Sequence, residues 1–239
     1  MAEEIAEKKK AGAKELAYSI LIAVGLALII RTGVVQAYYI PSGSMEDSLL
    51  VGDYLFANKF IYGAPLDIPF TDINFGRLPG LRDPQPGDVV IFRSPEDSSR
   101  DLIKRCVAVG GQTIEIVDKV LYVNGKPFAN PAGTKFTDDE RGFIPQTLST
   151  RDNFGPYVVP QDRYFMMGDN RDNSHDSRIM GAIPASLIKG KAMILWWSWA
   201  DDSGGPYYSG PASLPKVLGS YIARLPGRVR YERLGDIIL

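Results

Sequence analysis

The feature that most constrains this chain is an apolar run close to its N-terminus. Leu16–Ile30 contains fifteen residues without a charge, which as a helix would span about 22 Å. A bilayer core is about 30 Å thick. Extension through Arg31 to Ala37 gives 22 residues and roughly 33 Å. The sequence therefore predicts a transmembrane anchor over 16–37, preceded by a cytoplasmic segment 1–15 and followed by an extracytoplasmic domain 38–239.

The orientation of this anchor follows from the lysines, four of which precede the run (Lys8, Lys9, Lys10 and Lys14). Lys and Arg are enriched on the cytoplasmic side of membrane proteins, so we expect a cytoplasmic N-terminus. Two alternatives stay open at this point. A cleavable signal peptide would use Val35–Ala37 as its cleavage site, although Arg31 lies between the run and the cut. A buried helix of a soluble protein is the other.

Composition excludes several function classes. The net charge is −1, without the basic excess that nucleic-acid binding requires, so we expect no nucleic-acid partner. Cys106 is the single cysteine and His175 the single histidine. These counts exclude an intrachain disulfide and a zinc site of the usual Cys/His kind.

Beyond the anchor, the sequence predicts a mainly β domain. Thr113–Val117 and Val120–Val123 flank Asp118-Lys119, a pattern that predicts a tight hairpin. Many short apolar runs with Gly and Pro between them predict an antiparallel fold that is barrel-like or a sandwich, with loop insertions. Further strands are predicted in Val51–Phe60, Asp88–Arg93 and Ala192–Trp199.

Two stretches are predicted to be long loops, Gly63–Gly87 and an insertion at about 130–156. Three tryptophans, Trp196, Trp197 and Trp199, lie within four residues of each other. They would either fill the core or contact the membrane interface, where indole rings are favoured.

Candidate catalytic chemistry begins with Ser42 and Ser44, in a turn constrained by Pro41 and Gly43. A nucleophilic serine needs a base. That base would be His175, or Lys104 if burial lowers its pKa towards neutrality.

Lys104 lies in a strand-like segment, where side chains alternate between two faces. Either Lys104 or Arg105 must then point into an apolar face, unless the lysine reaches solvent from a strand end. A third segment, Gly168–Arg178, is dense in Asp, Asn, Ser and Arg. A solvated loop and a calcium site are alternatives there to a hydrogen-bonded network.

Together, these three segments resemble one family. IPSGSM at Ile40–Met45, the pair Lys104-Arg105 and GDNRDNSHDSR at Gly168–Arg178 are similar to the signature boxes of bacterial type I signal peptidases. Gly52–Gly63 and Gly87–Phe92 match as well, and the resemblance covers residues 16 to 201. Two positions depart from the family pattern: Asp47 stands where Pro is frequent, and Met180 where an aromatic residue is usual.

The resemblance implies a Ser/Lys dyad protease. Its pattern makes Ser44 the nucleophile, Lys104 the general base, Ser42 a donor to the oxyanion hole and Ser174 the residue that orients Lys104. His175 falls at a variable position, which argues against a Ser/His mechanism. The residues that match structural positions around the site are Met45, Arg105, Asp169, Asp176 and Arg178.

The family further implies a membrane-anchored serine endopeptidase that removes signal peptides from exported preproteins after Ala-X-Ala sites. It would form an acyl-enzyme and need no metal or cofactor. We expect signal peptides and the lipid bilayer as partners, a monomer, and a single-pass location in the inner (cytoplasmic) membrane. Two rival hypotheses are a self-cleaving Ser/Lys repressor-type protease, which would need a DNA-binding domain, and a catalytically silent membrane scaffold.

Overall fold

Most of the regular structure of the chain is β-strand. The computed structural model describes residues 14–27, 34–67, 74–138, 143–200, 206 and 209–239. Its α-helices are α1 (residues 14–27), α2 (Ser177–Met180) and α3 (Leu214–Arg228). The prediction of a mainly β fold is confirmed.

Thirteen strands in the described residues form three antiparallel sheets. The largest has seven strands in the order β1-β2-β13-β5-β6-β11-β12. The second has the order β10-β7-β8-β9, and the third consists of β3 and β4. The strands are β1 (Val35–Tyr39), β2 (Asp53–Asn58), β3 (Pro65–Asp67), β4 (Asn74–Arg77), β5 (Val89–Arg93), β6 (Asp101–Val109), β7 (Thr113–Val117), β8 (Val120–Val123), β9 (Lys126–Pro127), β10 (Phe154–Val158), β11 (Arg163–Met167), β12 (Ile183–Pro184) and β13 (Ile188–Ser198).

The N-terminal part differs from the prediction. Among the described residues, no helix combines the length and the apolar character needed to cross a membrane. Helix α1 covers 14–27, and 28–33, the middle of the predicted anchor, lie outside the described residues. Val35–Tyr39 then forms β1, with Val35 opposite Asn58 and Tyr39 opposite Tyr54 of β2.

The predicted end of the anchor at Ala37 is therefore wrong. Val35–Ala37 belong to the main sheet, because β-branched and small residues there pair their backbone with β2. Tyr38 and Tyr39 also lie in this strand. Tyr38 packs against the core, and the Tyr39 ring lies 5.0 Å from that of Tyr54.

The core fills the space on both faces of the central strands. Val89, Val90, Ile91 and Phe92 of β5 are all buried, which is typical of a strand covered on both faces. The long strand β13 joins β2 to β5 and carries register shifts against both partners. Bulges of this kind increase local twist, so the sheet curves around the core.

The predicted hairpin at Asp118-Lys119 is confirmed. Ile114 pairs with Val123 and Val117 with Val120. Asp118 and Lys119 have φ of 49° and 69°. Positive φ at both central residues gives the twist that a two-residue hairpin loop requires.

The two predicted loop regions differ in content. The stretch Gly63–Gly87 contains the β3–β4 hairpin, and residues 68–73 within it lie outside the described residues. The described part of 130–156 is irregular until β10 begins at Phe154. This insertion packs against the candidate site, as described below.

The tryptophans do not fill the core. Trp196 is 43% exposed. With Tyr39, Tyr54, Tyr221 and Arg228, the three indoles line an open cavity of about 710 Å³ between the main sheet and α3. The Arg228 guanidinium lies 4.6 Å from the Trp199 ring centre.

Gly52 makes the closest approach between the first strands and the end of β13. Its N–H donates to Ile40 O, and its carbonyl accepts from Trp199 N–H. Its φ is +94°, and an added Cβ would lie 1.8 Å from the Trp199 carbonyl oxygen. Only glycine satisfies both constraints.

We predict that Gly52→Ala destabilises the fold much more than Gly125→Ala. Gly125 has a similar φ of +72°, with nothing within 4 Å of an added Cβ. The control variant should therefore lose about 1 kcal/mol of unfolding free energy from the backbone conformation alone. Gly52→Ala should lose about 2 kcal/mol more, because the neighbouring strand must shift. Urea unfolding of both variants measures this, and equal losses would contradict it.

Candidate active site

Ser44 lies in a short turn that the core holds in place. Residues Gly43–Met45 form a single 3-10 turn, in which Glu46 N–H donates to Gly43 O. Met45 and Leu49, which follow Ser44 in the chain, are completely buried. Because these two side chains anchor the turn, the Ser44 hydroxyl stays at the rim of the core and is partly accessible.

Lys104 reaches Ser44 from the middle of β6. The Lys104 Nζ and Ser44 Oγ atoms are 2.5 Å apart. Lys104 is 3% exposed, and burial lowers its pKa to about 8, since a charged ammonium is poorly solvated there. Asp176 and Asp169 oppose this shift. At neutral pH most Lys104 side chains are therefore still protonated, and the neutral amine becomes populated as the pH rises towards 8.

The neighbouring Arg105 is buried as well, on the opposite side of β6. The sequence required only one of the two cations to enter an apolar face, whereas the structure buries both. Arg105 Nε and Nη2 donate to the two carboxylate oxygens of Asp169 at 2.9 and 2.8 Å. Its Nη1 donates to Gly87 O and Leu239 O, both at 2.6 Å. The guanidinium is thus fully paired, which a buried charge requires.

The polar segment after β11, residues 168–176, is called the catalytic loop below. A second buried ion pair closes it: Arg178 Nε and Nη2 donate to Asp176 at 2.9 and 2.8 Å. Asp176 also accepts the N–H groups of Gly168 and Arg178, capping α2. Burial alone would raise the pKa of Asp176, but Arg178 and these hydrogen bonds hold it below its usual value. The hydrogen-bonded network expected from the sequence is present.

Ser174 does not contact Lys104 in the way that the sequence predicts. The partners of Lys104 Nζ among the described residues are Ser44 Oγ and Ile103 O. The Ser174 hydroxyl lies near Asp176, where it helps to lower the carboxyl pKa, without meeting the geometry of a hydrogen bond. Its orienting role stays a prediction.

Because Gly168 has no side chain, Ser174 can lie close to Ser44. An added Cβ at this position would lie 2.2 Å from Ser174 Oγ and 2.4 Å from the Ser44 carbonyl oxygen. Both serines therefore pack closely against Gly168, in space that a side chain at this position would fill.

Two residues that the sequence analysis did not single out, Asn170 and Ser48, help to hold the turn that contains Ser44. Asn170 N–H donates to Ser44 O at 3.1 Å, and Asn170 Nδ2 donates to Gly43 O at 3.0 Å. Ser48 Oγ donates to Asp169 Oδ2 at 2.6 Å. The signal for Asn170 was its place between predicted site residues, but its partner on a distant turn has no sequence signature.

Three other positions that the sequence analysis discussed lie at the surface, Ser42, Asp47 and His175. Ser42 is exposed, with extended backbone. His175 is exposed too, and its Nε2 lies 2.8 Å from Glu96. Asp47 has φ of 75°, a conformation that proline cannot adopt. The backbone after Ser44 therefore has a conformation at Asp47 that the proline frequent in the family at this position could not adopt.

Comparison with known proteins fits this site. The family described as "Signal peptidase, peptidase S26" matches residues 13–197. The chain belongs to this signal peptidase family. A signal peptidase I from Pseudomonas aeruginosa is 35% identical over 206 residues, covering 74% of this chain and 69% of its own. One from Rickettsia typhi is 32% identical over 219 residues, covering 78% and 83%.

A solved structure of a signal peptidase I from Enterococcus faecalis is 27% identical and covers 46% of this chain and 97% of its own, with a TM-score of 0.37. Membership in the signal peptidase family confirms the predicted resemblance. The enzyme class, a serine peptidase and hence a hydrolase, is confirmed with it.

The burial of Lys104 in this signal peptidase predicts a pH-dependent stability. Its pKa is about 8 when folded and near 10.5 when exposed. Between these values the unfolded chain binds more protons, so stability rises with pH. Lys104→Met removes this titration. The stability advantage of Lys104→Met over the natural chain should therefore fall by roughly 3 kcal/mol from pH 7 to pH 10.5.

Chemical unfolding of both proteins across this pH range measures the difference. Other titrating groups are shared, so their contributions cancel. A difference that stays constant with pH would show that Lys104 titrates normally in the folded protein.

Proposed function

We propose that this enzyme removes signal peptides from exported preproteins by a Ser44/Lys104 dyad. The observation that carries the proposal is the 2.5 Å approach of Lys104 Nζ to Ser44 Oγ at a lysine whose pKa is lowered by burial. A neutral amine beside a hydroxyl is a general base beside a nucleophile. Membership in the signal peptidase family supports the substrate class.

In the first step, Ser44 Oγ attacks the carbonyl carbon of the scissile peptide and its proton passes to Lys104 Nζ. The tetrahedral intermediate carries an oxyanion, which the Ser44 N–H and the Ser42 hydroxyl would stabilise. The C–N bond then breaks, and Lys104 returns the proton to the leaving amine. An acyl-enzyme on Ser44 remains.

In the second step, Lys104 takes a proton from water, which attacks the ester carbonyl. Collapse of this intermediate releases the new carboxyl end of the signal peptide and gives the proton back to Ser44. Ser174 would hold the amine in line for both transfers, and its unpaired hydroxyl leaves it free to bind Nζ when the lysine rotates.

The substrate is proposed to bind as an extended strand, with small side chains at the first and third positions before the cut. We also propose that the enzyme is anchored in the cytoplasmic membrane through a segment that starts with the apolar run Leu16–Ile30 and ends just before β1 begins at Val35. Such anchoring would confine enzyme and preprotein to one surface and raise their effective concentration.

We predict that Ser44→Ala and Lys104→Ala each abolish cleavage of a purified preprotein in detergent. Either loss leaves the pair without a nucleophile or without a base. His175→Ala is the control and should keep near-normal turnover, because His175 is exposed and paired with Glu96. The natural enzyme should gain activity as pH rises through about 8, where Lys104 loses its proton. Turnover retained by Ser44→Ala, or lost in His175→Ala, would overturn the dyad.

The anchoring proposal predicts that protease added to spheroplasts digests the domain after residue 38. Four lysines before the apolar run favour a cytoplasmic N-terminus. A cytoplasmic protein in the same cells, which should survive, reports that the membrane is intact. Protection of the domain would contradict this orientation, and its release by alkaline carbonate would contradict anchoring.

A further inference from the structure

We propose that residues 133–138 of the insertion, called the strap below, position the nucleophile by clamping the catalytic loop onto the Ser44 turn. This inference rests on the proposed Ser44/Lys104 mechanism and assigns a role to a segment that the mechanism does not use. It makes Asp172, which fastens the strap, a positioning residue.

The strap pairs with the catalytic loop through the backbone. Lys135 N–H donates to Asp169 O at 2.8 Å, and Arg171 N–H donates to Lys135 O at 2.9 Å. These two bonds form a parallel bridge between Lys135 and Asn170. The residue held between them, Asn170, is the one that binds Gly43 O and Ser44 O. The strap therefore holds Asn170 in place, and Asn170 in turn holds the carbonyl groups of Gly43 and Ser44.

The same strap also contacts residues 46–48, which directly follow the Ser44 turn. A Cβ added to Gly133 would lie 2.2 Å from Ser48 Oγ and 2.9 Å from Ser48 N. Lys135 Nζ lies 3.4 Å from Glu46 and 3.5 Å from Asp47. These ion pairs are partly exposed and contribute little energy. The close packing at Gly133 shows that strap and turn are in contact without an intervening side chain.

Asp172 ties the strap down at its other end. One carboxylate oxygen, Oδ2, accepts from the N–H groups of Thr137 and Asp138 and from Lys119 Nζ, each at 2.9 Å. The Asp172 side chain is 2% exposed. Hydrogen bonds to a carboxylate are stronger than neutral ones, so removing this acceptor removes the tie between the strap and the catalytic loop at Asp172.

Arg151 connects the far side of the insertion to the same loop. Its Nη1 lies 3.0 Å from Asp138, and its carbonyl accepts from Arg178 Nη1 at 2.9 Å. Arg178 in turn holds Asp176. The insertion thus contacts the catalytic loop at Asp172, in its middle, and Arg178 just after its end.

The central test is Asp172→Ala, compared with Asp101→Ala. Asp101 also pairs with a lysine, Lys189 at 2.7 Å, but within the described residues it makes no hydrogen bond to the strap or to the catalytic loop. We expect Asp172→Ala to lower kcat roughly tenfold with KM little changed, because a displaced nucleophile reacts slowly once substrate is bound. Asp101→Ala should change neither. Amide hydrogen exchange at Lys135 and Arg171 should become faster only in Asp172→Ala.

A double-mutant cycle with Asn170→Ala identifies the route. If the strap acts through Asn170, the double variant loses little more kcat than the more damaging single variant. Losses that multiply, or a normal kcat despite faster exchange at Lys135 and Arg171, would overturn the inference. If Asp172→Ala does not fold, Asp172→Asn keeps an acceptor for Thr137 and Asp138 and should show a smaller loss of the same kind.

Gly133→Ala is an independent second variant, since it pushes the strap away from Ser48 without removing a charge. It should lower kcat with a normal KM as well, and full activity in this variant would contradict the clamp. Failure of the dyad itself looks different: Ser44→Ala would then still cleave, whatever the strap variants do.

Discussion

The site is assembled around the buried carboxylate of Asp169. It accepts hydrogen bonds from Arg105 of β6 and from Ser48, which follows the Ser44 turn, and it lies near the start of the loop 168–176. The strand that carries Lys104, the chain after Ser44 and this loop are therefore joined at one side chain that is fully excluded from water. A buried carboxylate is tolerable only because its partners satisfy it, so the three segments depend on one another.

The protein places two neighbouring basic residues in different buried surroundings. Arg105 is paired with a carboxylate, whereas Lys104 meets a hydroxyl and a carbonyl, and burial lowers the Lys104 pKa to about 8. The alternation of a β-strand explains how this is possible, because consecutive side chains enter different surroundings. One strand thus carries a carboxylate-paired arginine and, one residue before it, a lysine with a lowered pKa.

Much of this arrangement was predictable from sequence, and the rest was not for identifiable reasons. The Asp118-Lys119 hairpin depends on two adjacent residues, so local patterns were sufficient. The end of the N-terminal apolar run was misplaced, because Val35–Ala37 suits a helix and a strand equally and only pairing with β2 decides. Asn170 and Asp172 were missed as positioning residues, since their partners lie up to 127 residues away along the chain. Single-sequence patterns contain no information on such distances.

The separation of the site residues along the chain has a further consequence. Ser44, Lys104 and Asp169 come together only when β1, β6 and β11 have joined the same curved sheet. Such non-local pairings form late and cooperatively in folding. In the unfolded chain, Lys104 is solvated and protonated, and Ser44 is an ordinary alcohol. The approach of Lys104 to Ser44 therefore exists only in the folded domain, and a newly made chain lacks it until these strands have joined the sheet.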